Sequence, residues 1–432
     1  MVCAWCATAS GSRASLGSSG SRAPAMEPAR AGTLAAAARS EEVGRMSTAP
    51  LRLCVATSLF PCPGQPYRGI FAERRWQALA ARGHSVQVVH PQPYAPPLVG
   101  GEWAVIRAMP ARETRGTLAV HRPRYLHLPG RPIQNAPRFA RAAWRQMDGP
   151  DVVVCDYAWP AAALAPLCHA EGLPCLINGR GSDVLEVSGE ANLGSVLGKY
   201  LAVASGWSAV SQDLVSVMDH LGQSAGASHR GVLIPNGVDH TRFFPRNRSE
   251  CREQLGMAGE GHLVLVAGHL IERKDPLLAL EAFASGAPAG AQLIFVGSGP
   301  LEGSVREAIR ARGLEGRVRC VGEVAPELLA LYYGAADLLL LTSTREGRPN
   351  VVLEALACGR PVLATAAGGT AEVLGDSHML LDSRDPEALG RRLGDLLATP
   401  PAGDSLRTLV EGLTWECSTD TLEAVLNSLA RG

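Results

Sequence analysis

Two kinds of apolar block recur along this chain. Short, almost unbroken runs appear at "LRLCVAT" (51–57), "HSVQVVH" (84–90), "DVVVCD" (151–156) and "LPCLIN" (173–178). They return at "HLVLVAG" (262–268), "AQLIFVGSG" (291–299) and "ADLLLLTS" (336–343). Between them lie longer segments with apolar positions at helical spacing: "IFAERRWQALAARG" (70–83), "AAALAPLCHAEG" (161–172), "DPLLALEAFASG" (275–286) and "ELLALYYGA" (327–335). Runs without a polar face predict strands covered on both sides, and parallel strands need a crossover helix between them. A single core rarely keeps growing over 432 residues. The repeated order of strand, helix and strand in both halves therefore predicts two doubly wound, Rossmann-like α/β domains.

The first domain is expected over 50–240 and the second over 241–412, with the punctuated stretch "GVLIPNGVDHTRFFPRNRSE" (231–250) marking the passage. Residues 413–432 are read as a C-terminal helix that packs back toward the first domain. Residues 1–49 are rich in Ala, Ser, Gly and Arg, with little to bury. They are expected to be a disordered extension, or a mis-assigned start if Met26 or Met46 begins the protein. No apolar stretch reaches signal-peptide or transmembrane length.

Formal net charge is zero, from 41 basic and 41 acidic residues, which gives no case for a nucleic-acid partner. Of eleven Cys, Cys3 and Cys6 alone form a C-x-x-C, and no second pair completes a zinc site. Cys155, Cys175 and Cys320 sit in or beside apolar runs and read as small buried hydrophobes of a reduced compartment. No Asp-x-Asp occurs, so no metal is expected to be required.

The candidate chemistry starts at "REGRPNVVLEALACGRPVLAT" (345–365), where Glu346 and Glu354 flank a Pro-Asn pair. A carboxylate inside an apolar helix costs several kcal/mol unless it is paired or hydrogen-bonded, so a partner is implied. If Asn350 caps the helix, the amides of Val351 and Val352 can hold phosphate beyond the carboxyl end of the strand "ADLLLLTS". Hydroxyls for the glutamates and phosphate for the amides suit a nucleotide sugar. The plain alternative is a solvated Glu346 and a Glu354 that favours the positive end of the helix dipole. "GHLIERKD" (268–275) sets His269, Arg273 and Lys274 at another strand end, where a cation can neutralise a leaving diphosphate. A solvated basic loop is the alternative there. Gly297 in "VGSGP" either cradles phosphate or makes a tight turn at the cleft. In the first half, Gly69 of "PCPGQPYRGIF" allows close backbone approach beside Arg68, and "INGRGSDV" presents Arg180 and Asp183 either to substrate or to each other.

In this order the motifs resemble the retaining GT-B glycosyltransferases of family 4, over roughly residues 51–430. The family's Glu-x7-Glu signature is similar to "EGRPNVVLE", its linker to "PNGVD" (235–239), and its Gly-Arg-Leu-x-x-x-Lys-Gly loop to "GHLIERKD". "VGSGPL" (296–301) recurs, while "GIF.ER..ALA.RGH" (69–84) and "RGSD" (180–183) look closest to teichuronic-acid and exopolysaccharide transferases of bacteria. The resemblance implies two domains facing across a cleft, with the nucleotide-sugar donor, UDP- or GDP-linked, on the second. A glycan or polyprenyl-lipid-linked acceptor would lie on the first, beside Arg68 and Asp183. By that likeness Glu354 binds the ribose and Glu346 the donor sugar. Lys274, with Arg273 and the residue at His269, meets the diphosphate, supported by amides from Asn350 to Val352. The base rests near Val324 of "VGEV" (321–324), with Gly69 and Gly297 close to the donor.

Two departures stand out. His269 replaces the family's usual Arg and carries no charge when neutral, which leaves more of the neutralising to Lys274 and Arg273. Arg180 replaces a frequent His and cannot shuttle protons near neutral pH, so its role there is electrostatic. Retention without an evident carboxylate nucleophile implies front-face attack assisted by the leaving diphosphate oxygen.

A two-domain NAD-dependent enzyme is the first competitor, though no G-x-G-x-x-G follows an initial strand. A nucleotide-sugar epimerase of related fold and a non-catalytic carbohydrate-binding protein also remain. The segment "PRFARAAWRQM" (137–147) places arginines on one side and Ala140, Ala143, Trp144 and Met147 on another. That pattern fits either a helix seated on the inner face of a membrane, from a cytoplasmic location, or one packed on its own domain.

Overall fold

A computed structural model describes residues 49–97, 99–257, 261–375 and 377–431. The expected N-terminal extension, with its Cys3 and Cys6, lies outside the described residues apart from Ala49. Among the described residues, eight strands form a first sheet: β1 (Arg52–Thr57), β2 (Ser85–Val89), β3 (Arg112–Arg115), β4 (Leu118–His121), β5 (Val152–Asp156), β6 (Cys175–Gly179), β7 (Gly206–Ala209) and β8 (Val232–Leu233). Their order is β8-β7-β6-β5-β1-β2-β4-β3, parallel throughout except where β3 meets β4. A second sheet of six holds β9 (Leu263–Ala267), β10 (Gln292–Val296), β11 (Val318–Gly322), β12 (Leu338–Leu341), β13 (Val362–Thr365) and β14 (Leu380–Leu381). It is parallel, in the order β11-β10-β9-β12-β13-β14.

The unbroken apolar runs fall on central strands. β5 and β12 are buried at every position, because helices cover both faces. The antiparallel hairpin β3–β4 was not expected, since "RETRGTLAVH" has a short alternating pattern in place of a continuous run. An edge hairpin needs only one buried face, and β4 alternates buried and open positions. Each sheet has its own core, including Leu265, Phe295 and Leu339 in the second domain and Val153, Ile177 and Leu197 in the first. Burying a side chain of this size contributes about 1.5–3 kcal/mol.

The helices that shape the cleft are α1 (Ile70–Ala81), α2 (Ser182–Ser188), α3 (Gln212–Ser224), α4 (Pro276–Gly286), α5 (Asn350–Ala357) and α6 (Gly369–Leu374). Local sequence starts several of them. Asp275 caps α4 by accepting from Leu278 N–H, with Pro276 as the first helical residue, and Ser211 caps α3 by accepting from Leu214 N–H. The last helix, α7 (Trp415–Arg431), returns to α1: Leu422 and Leu426 share a core with Trp76 and Leu79, and Phe71 stacks on Trp415. The two faces of the cleft meet where the loop after β6 approaches the loop after β12.

The amphipathic segment near residue 140 is the helix Pro132–Trp144. Ala140 and Ala143 are buried, and Trp144 and Met147 pack against the first-domain core. The stripe of Ala140, Ala143, Trp144 and Met147 therefore faces the domain and not a bilayer. Among the described residues no helix is long and apolar enough to cross a membrane.

Candidate active site

The loop after β12 and the loop after β9 are tied together by backbone and hydroxyl hydrogen bonds. Thr344 N–H donates to Arg273 C=O at 2.8 Å, and the Thr342 hydroxyl donates to Asp275 C=O at 2.8 Å. This clasp brings Lys274 and Glu346 into contact across 72 positions of sequence, Nζ to Oε1 at 2.5 Å. Ser343 Oγ donates to the same carboxylate at 2.5 Å, and Arg273 Nη1 lies 3.4 Å from its other oxygen. Burial pushes Glu346 toward the neutral acid, but the charges of Lys274 and Arg273 outweigh it and hold the carboxyl below its ordinary range. Two cations against one carboxylate leave this corner with an excess positive charge. It attracts an anion.

Glu354 sits one turn into α5, 6% exposed, on the far side of the same helix start. The partner implied by its apolar setting is Tyr333, whose hydroxyl donates to Oε2 at 2.9 Å. Burial raises the Glu354 pKa to about 7, against the Tyr333 hydrogen bond, which favours the carboxylate. Asn350 does not cap the helix. Pro349 occupies the N-cap position and Asn350 is the first helical residue, with Oδ1 accepting from Asn236 Nδ2 at 3.1 Å. Pro349 has a helix-compatible φ of −74° but an extended ψ of 109°, so the helix begins at the residue after it. Val352 N–H donates to Pro349 C=O, so the helix start presents the amides of Asn350 and Val351 to a ligand rather than that of Val352.

His269 stands at the end of β9 with its side chain 54% exposed, 3.9 Å from Glu323, beyond hydrogen-bond distance. Gly297 serves the fold. Its φ of 133° lies in glycine territory, and a Cβ there would meet Gly268 O at 2.0 Å. Its N–H donates to Gly322 C=O at 2.7 Å, which commits that amide to the turn. Val324 packs against the second-domain core beside the same turn. On the first domain Gly69, φ 79°, begins α1 against the Leu59–Phe60 backbone, and Arg68 Nη1 donates to Gln65 Oε1.

The expected alternative of an Arg180–Asp183 pair is not what forms. Arg180 makes a two-point ion pair with Asp156 at the end of β5, Nε–Oδ1 2.7 Å and Nη2–Oδ2 2.9 Å. Asp156 also accepts from Trp76 Nε1 and Asn178 Nδ2. Burial raises its pKa, but Arg180 dominates and keeps it ionised. Asp183 instead accepts from the N–H groups of Arg180 and Gly181 in its own loop and from that of Ala158 beyond the end of β5. Burial raises Asp183 to about 6 despite those bonds. The physical reason is reach: Asp183 opens α2, where short-range backbone donors compete for its carboxylate. Arg180 is thereby a fixed cation on a strand end, with its loop against Gly347.

Several contributors escaped the sequence reading. Tyr333 looks like core in an apolar helix, and Ser343 like the end of a strand. Asp156 carried a faint signal, as a charge closing the buried run "DVVVCD". Asn236, read as linker punctuation, accepts from the buried Arg75 of α1 at 3.0 Å while donating to Asn350. It thus joins the first domain, the linker and the helix of Glu354. Among the described residues no group of three or more His, Cys, Asp and Glu is placed to hold a metal ion.

Residues 76–242 match the family described as Glycosyltransferase Family 4, and residues 247–409 match Glycosyl transferases group 1. The putative teichuronic acid biosynthesis glycosyltransferase TuaC of Bacillus subtilis (strain 168) is 27% identical over 359 residues, which span 79% of this chain and 88% of that protein. Among solved structures, sucrose-phosphate synthase from Thermosynechococcus elongatus has a TM-score of 0.72 at 22% identity, covering 88% of this chain and 99% of the other. Anabaena Alr3699/HepE in complex with UDP-glucose has a TM-score of 0.68 at 18% identity, covering 87% and 99%. These structures share the arrangement of two Rossmann-like domains about a cleft. With consecutive family matches over both domains, this chain belongs to the GT-B glycosyltransferases of family 4, the glycosyl transferases group 1, enzymes that move a sugar from a nucleotide sugar to an acceptor.

Proposed function

We propose that this enzyme transfers a sugar from a UDP- or GDP-sugar, with retention of anomeric configuration, to a glycan or lipid-linked acceptor in the synthesis of a cell-surface polysaccharide. The observation that carries the reading is the placement of Lys274, Glu346 and Glu354 around one helix start at the strand ends of the second domain. Donor and acceptor sides divide as the domains do, at 50–240 and 241–412, with 413–432 bracing the first. The UDP-glucose bound in Anabaena Alr3699/HepE supports a nucleotide-sugar donor, and the relation to TuaC supports a cell-wall glycan. Such an acceptor is made in the cytoplasm at the inner face of the plasma membrane.

In this reading Glu354 accepts from the ribose hydroxyls and Glu346 from hydroxyls of the sugar. The amides of Asn350 and Val351 receive phosphate oxygens, while Lys274 and Arg273 meet the charge that grows on the diphosphate. The acceptor oxygen bonds to the anomeric carbon on the face that the diphosphate leaves. The bond from that carbon to the diphosphate oxygen breaks, and the acceptor proton passes to the departing oxygen. Arg180, paired with Asp156, brings its loop against Gly347 across from this region.

Calorimetry with UDP, GDP and their common sugar conjugates tests the assignment. Glu354→Ala should weaken the nucleoside diphosphate and the intact donor alike, by tenfold or more, ~1.4 kcal/mol. Glu346→Ala should leave the nucleoside diphosphate within about threefold while impairing the intact donor and turnover. Unchanged binding of the nucleoside diphosphate to Glu354→Ala would overturn the account of both glutamates.

A further inference from the structure

A carboxylate of the second domain caps a helix of the first. Glu372, on α6, accepts from Gln212 N–H at 2.9 Å and from Asp213 N–H at 2.7 Å, the first two residues of the thirteen-residue α3. These amides lack intrahelical acceptors and lie at the positive end of the helix dipole, where a charged acceptor binds best. Arg348, its side chain 7% exposed, stands 3.8 Å from the Glu372 carboxylate. Gly369 makes the approach possible, since a Cβ there would lie 2.8 Å from the Cβ of Ser211 across the seam.

The contact leads directly to the candidate site. Gly369 N–H, on the first residue of α6, donates to Glu346 C=O at 3.3 Å. The neighbours of Glu346 also touch the first domain. Arg345 Nη1 donates to Leu185 C=O on α2 at 3.2 Å, and a Cβ on Gly347 would fall 2.5 Å from Arg180 C=O. One seam therefore runs from α3 through Glu372 and α6 to the Glu346 loop and on to Arg180.

We propose that Glu372 is a positioning residue: by docking α6 on the start of α3 it holds the Glu346 loop opposite Arg180, fixing the donor side against the acceptor side for transfer. The proposal rests on the reading of the site as a nucleotide-sugar transferase. The competing explanation is a surface cap that stabilises α3 alone.

Three single variants of the full chain, Glu372→Ala, Glu372→Gln and Gln212→Pro, and the double variant of Glu372→Ala with Gln212→Pro separate them. Gln212 is the first residue of α3, Ser211 before it is extended (φ −143°, ψ 155°), and proline is tolerated there. Gln212→Pro thus deletes one N–H offered to Glu372 while keeping the helix. Hydrogen exchange of the ligand-free protein should accelerate by ~tenfold in Glu372→Ala at 212–213, at 180–183 and at 346–348 together, and small-angle scattering should show a larger radius of gyration. Gln212→Pro should shift 180–183 and 346–348 the same way by less, and the double variant should add little to Glu372→Ala. Glu372→Gln, which keeps a neutral acceptor, should fall between. With whichever of UDP-glucose and GDP-mannose the unaltered enzyme turns over, Glu372→Ala should lower kcat by ~tenfold while UDP or GDP binds within about twofold. Acceleration confined to 212–213, or an unchanged kcat, overturns the proposal. If the unaltered enzyme binds neither nucleotide, the transferase reading fails, and exchange at 180–183 and 346–348 still decides whether Glu372 joins the domains.

Discussion

At the scale of single residues, the two glutamates of one signature are held in opposite electrostatic states. Glu346 is kept ionised by Lys274 and Arg273, whereas Glu354 has one neutral partner and a pKa raised to about 7. A carboxyl whose folded pKa lies above its unfolded value binds an extra proton when folded. Stability therefore falls as pH rises through the window from 4.5 to about 7 and stays reduced above it. Glu354→Gln is neutral throughout, so it should be more stable than the unaltered ligand-free enzyme at pH 8, by up to about 3 kcal/mol, and close to equal at pH 4. Urea denaturation at the two pH values checks this. Nucleoside diphosphate binding should have the reverse dependence, weakening as pH falls below 7, because only the carboxylate accepts two hydroxyls. Lys274→Ala strips Glu346 of its shorter ion pair and leaves it with Arg273 and Ser343, so it should cost up to roughly 3 kcal/mol of stability as well as turnover. Lys274→Arg is a sterically distinct control.

Among elements, helix starts and strand ends carry the chemistry. β9 and β12 are neighbours in the sheet, so the loops that leave them emerge side by side and bring Lys274 to Glu346. The turn at Gly297 supports this pair of loops, packed on Gly268 at the end of β9. Gly297→Ala combines an unfavourable φ with a backbone clash and should destabilise the second domain by about 2–4 kcal/mol. Thermal denaturation would measure the loss, and nucleotide binding should recover at low temperature if the strand ends still assemble. Tyr333→Phe changes an element more gently. It removes the Tyr333 hydroxyl from Glu354 and should raise the pH midpoint of nucleotide binding, which calorimetry across pH 6–8 would detect.

In the molecule as a whole, the chain crosses from the first domain to the second and returns. α7 comes back to complete the first-domain core, and Arg75, 1% exposed, binds the Ile234 and Asn236 end of the linker and Ser418 of α7. The passage between domains is thus pinned to both. Leu426→Ala should cost about 2–4 kcal/mol and lower the melting temperature of the first domain, although the residue lies 350 positions from Trp76 of α1 in sequence. Arg75→Met should loosen the relay through Asn236 to Asn350 and weaken nucleotide binding at a distance.

The sequence by itself determined the class of fold, because the polar-free runs of β1, β5, β9 and β12 are stable only between covering helices. It also determined that Glu354 needs a partner, since an apolar helix cannot hold an unpaired carboxylate. Which partner it takes was decided by tertiary structure: Tyr333 lies on another helix, and nothing in local spacing distinguishes its hydroxyl from core. The same holds for Arg180, where the sequence offered Asp183 as the alternative partner to substrate but the side-by-side strands β5 and β6 delivered Asp156. Periodicity is local and shows which face of an element is buried. Pairing across a sheet or a cleft depends on strand order and on how two separately folded cores meet, and those are set by contacts between residues far apart in the chain.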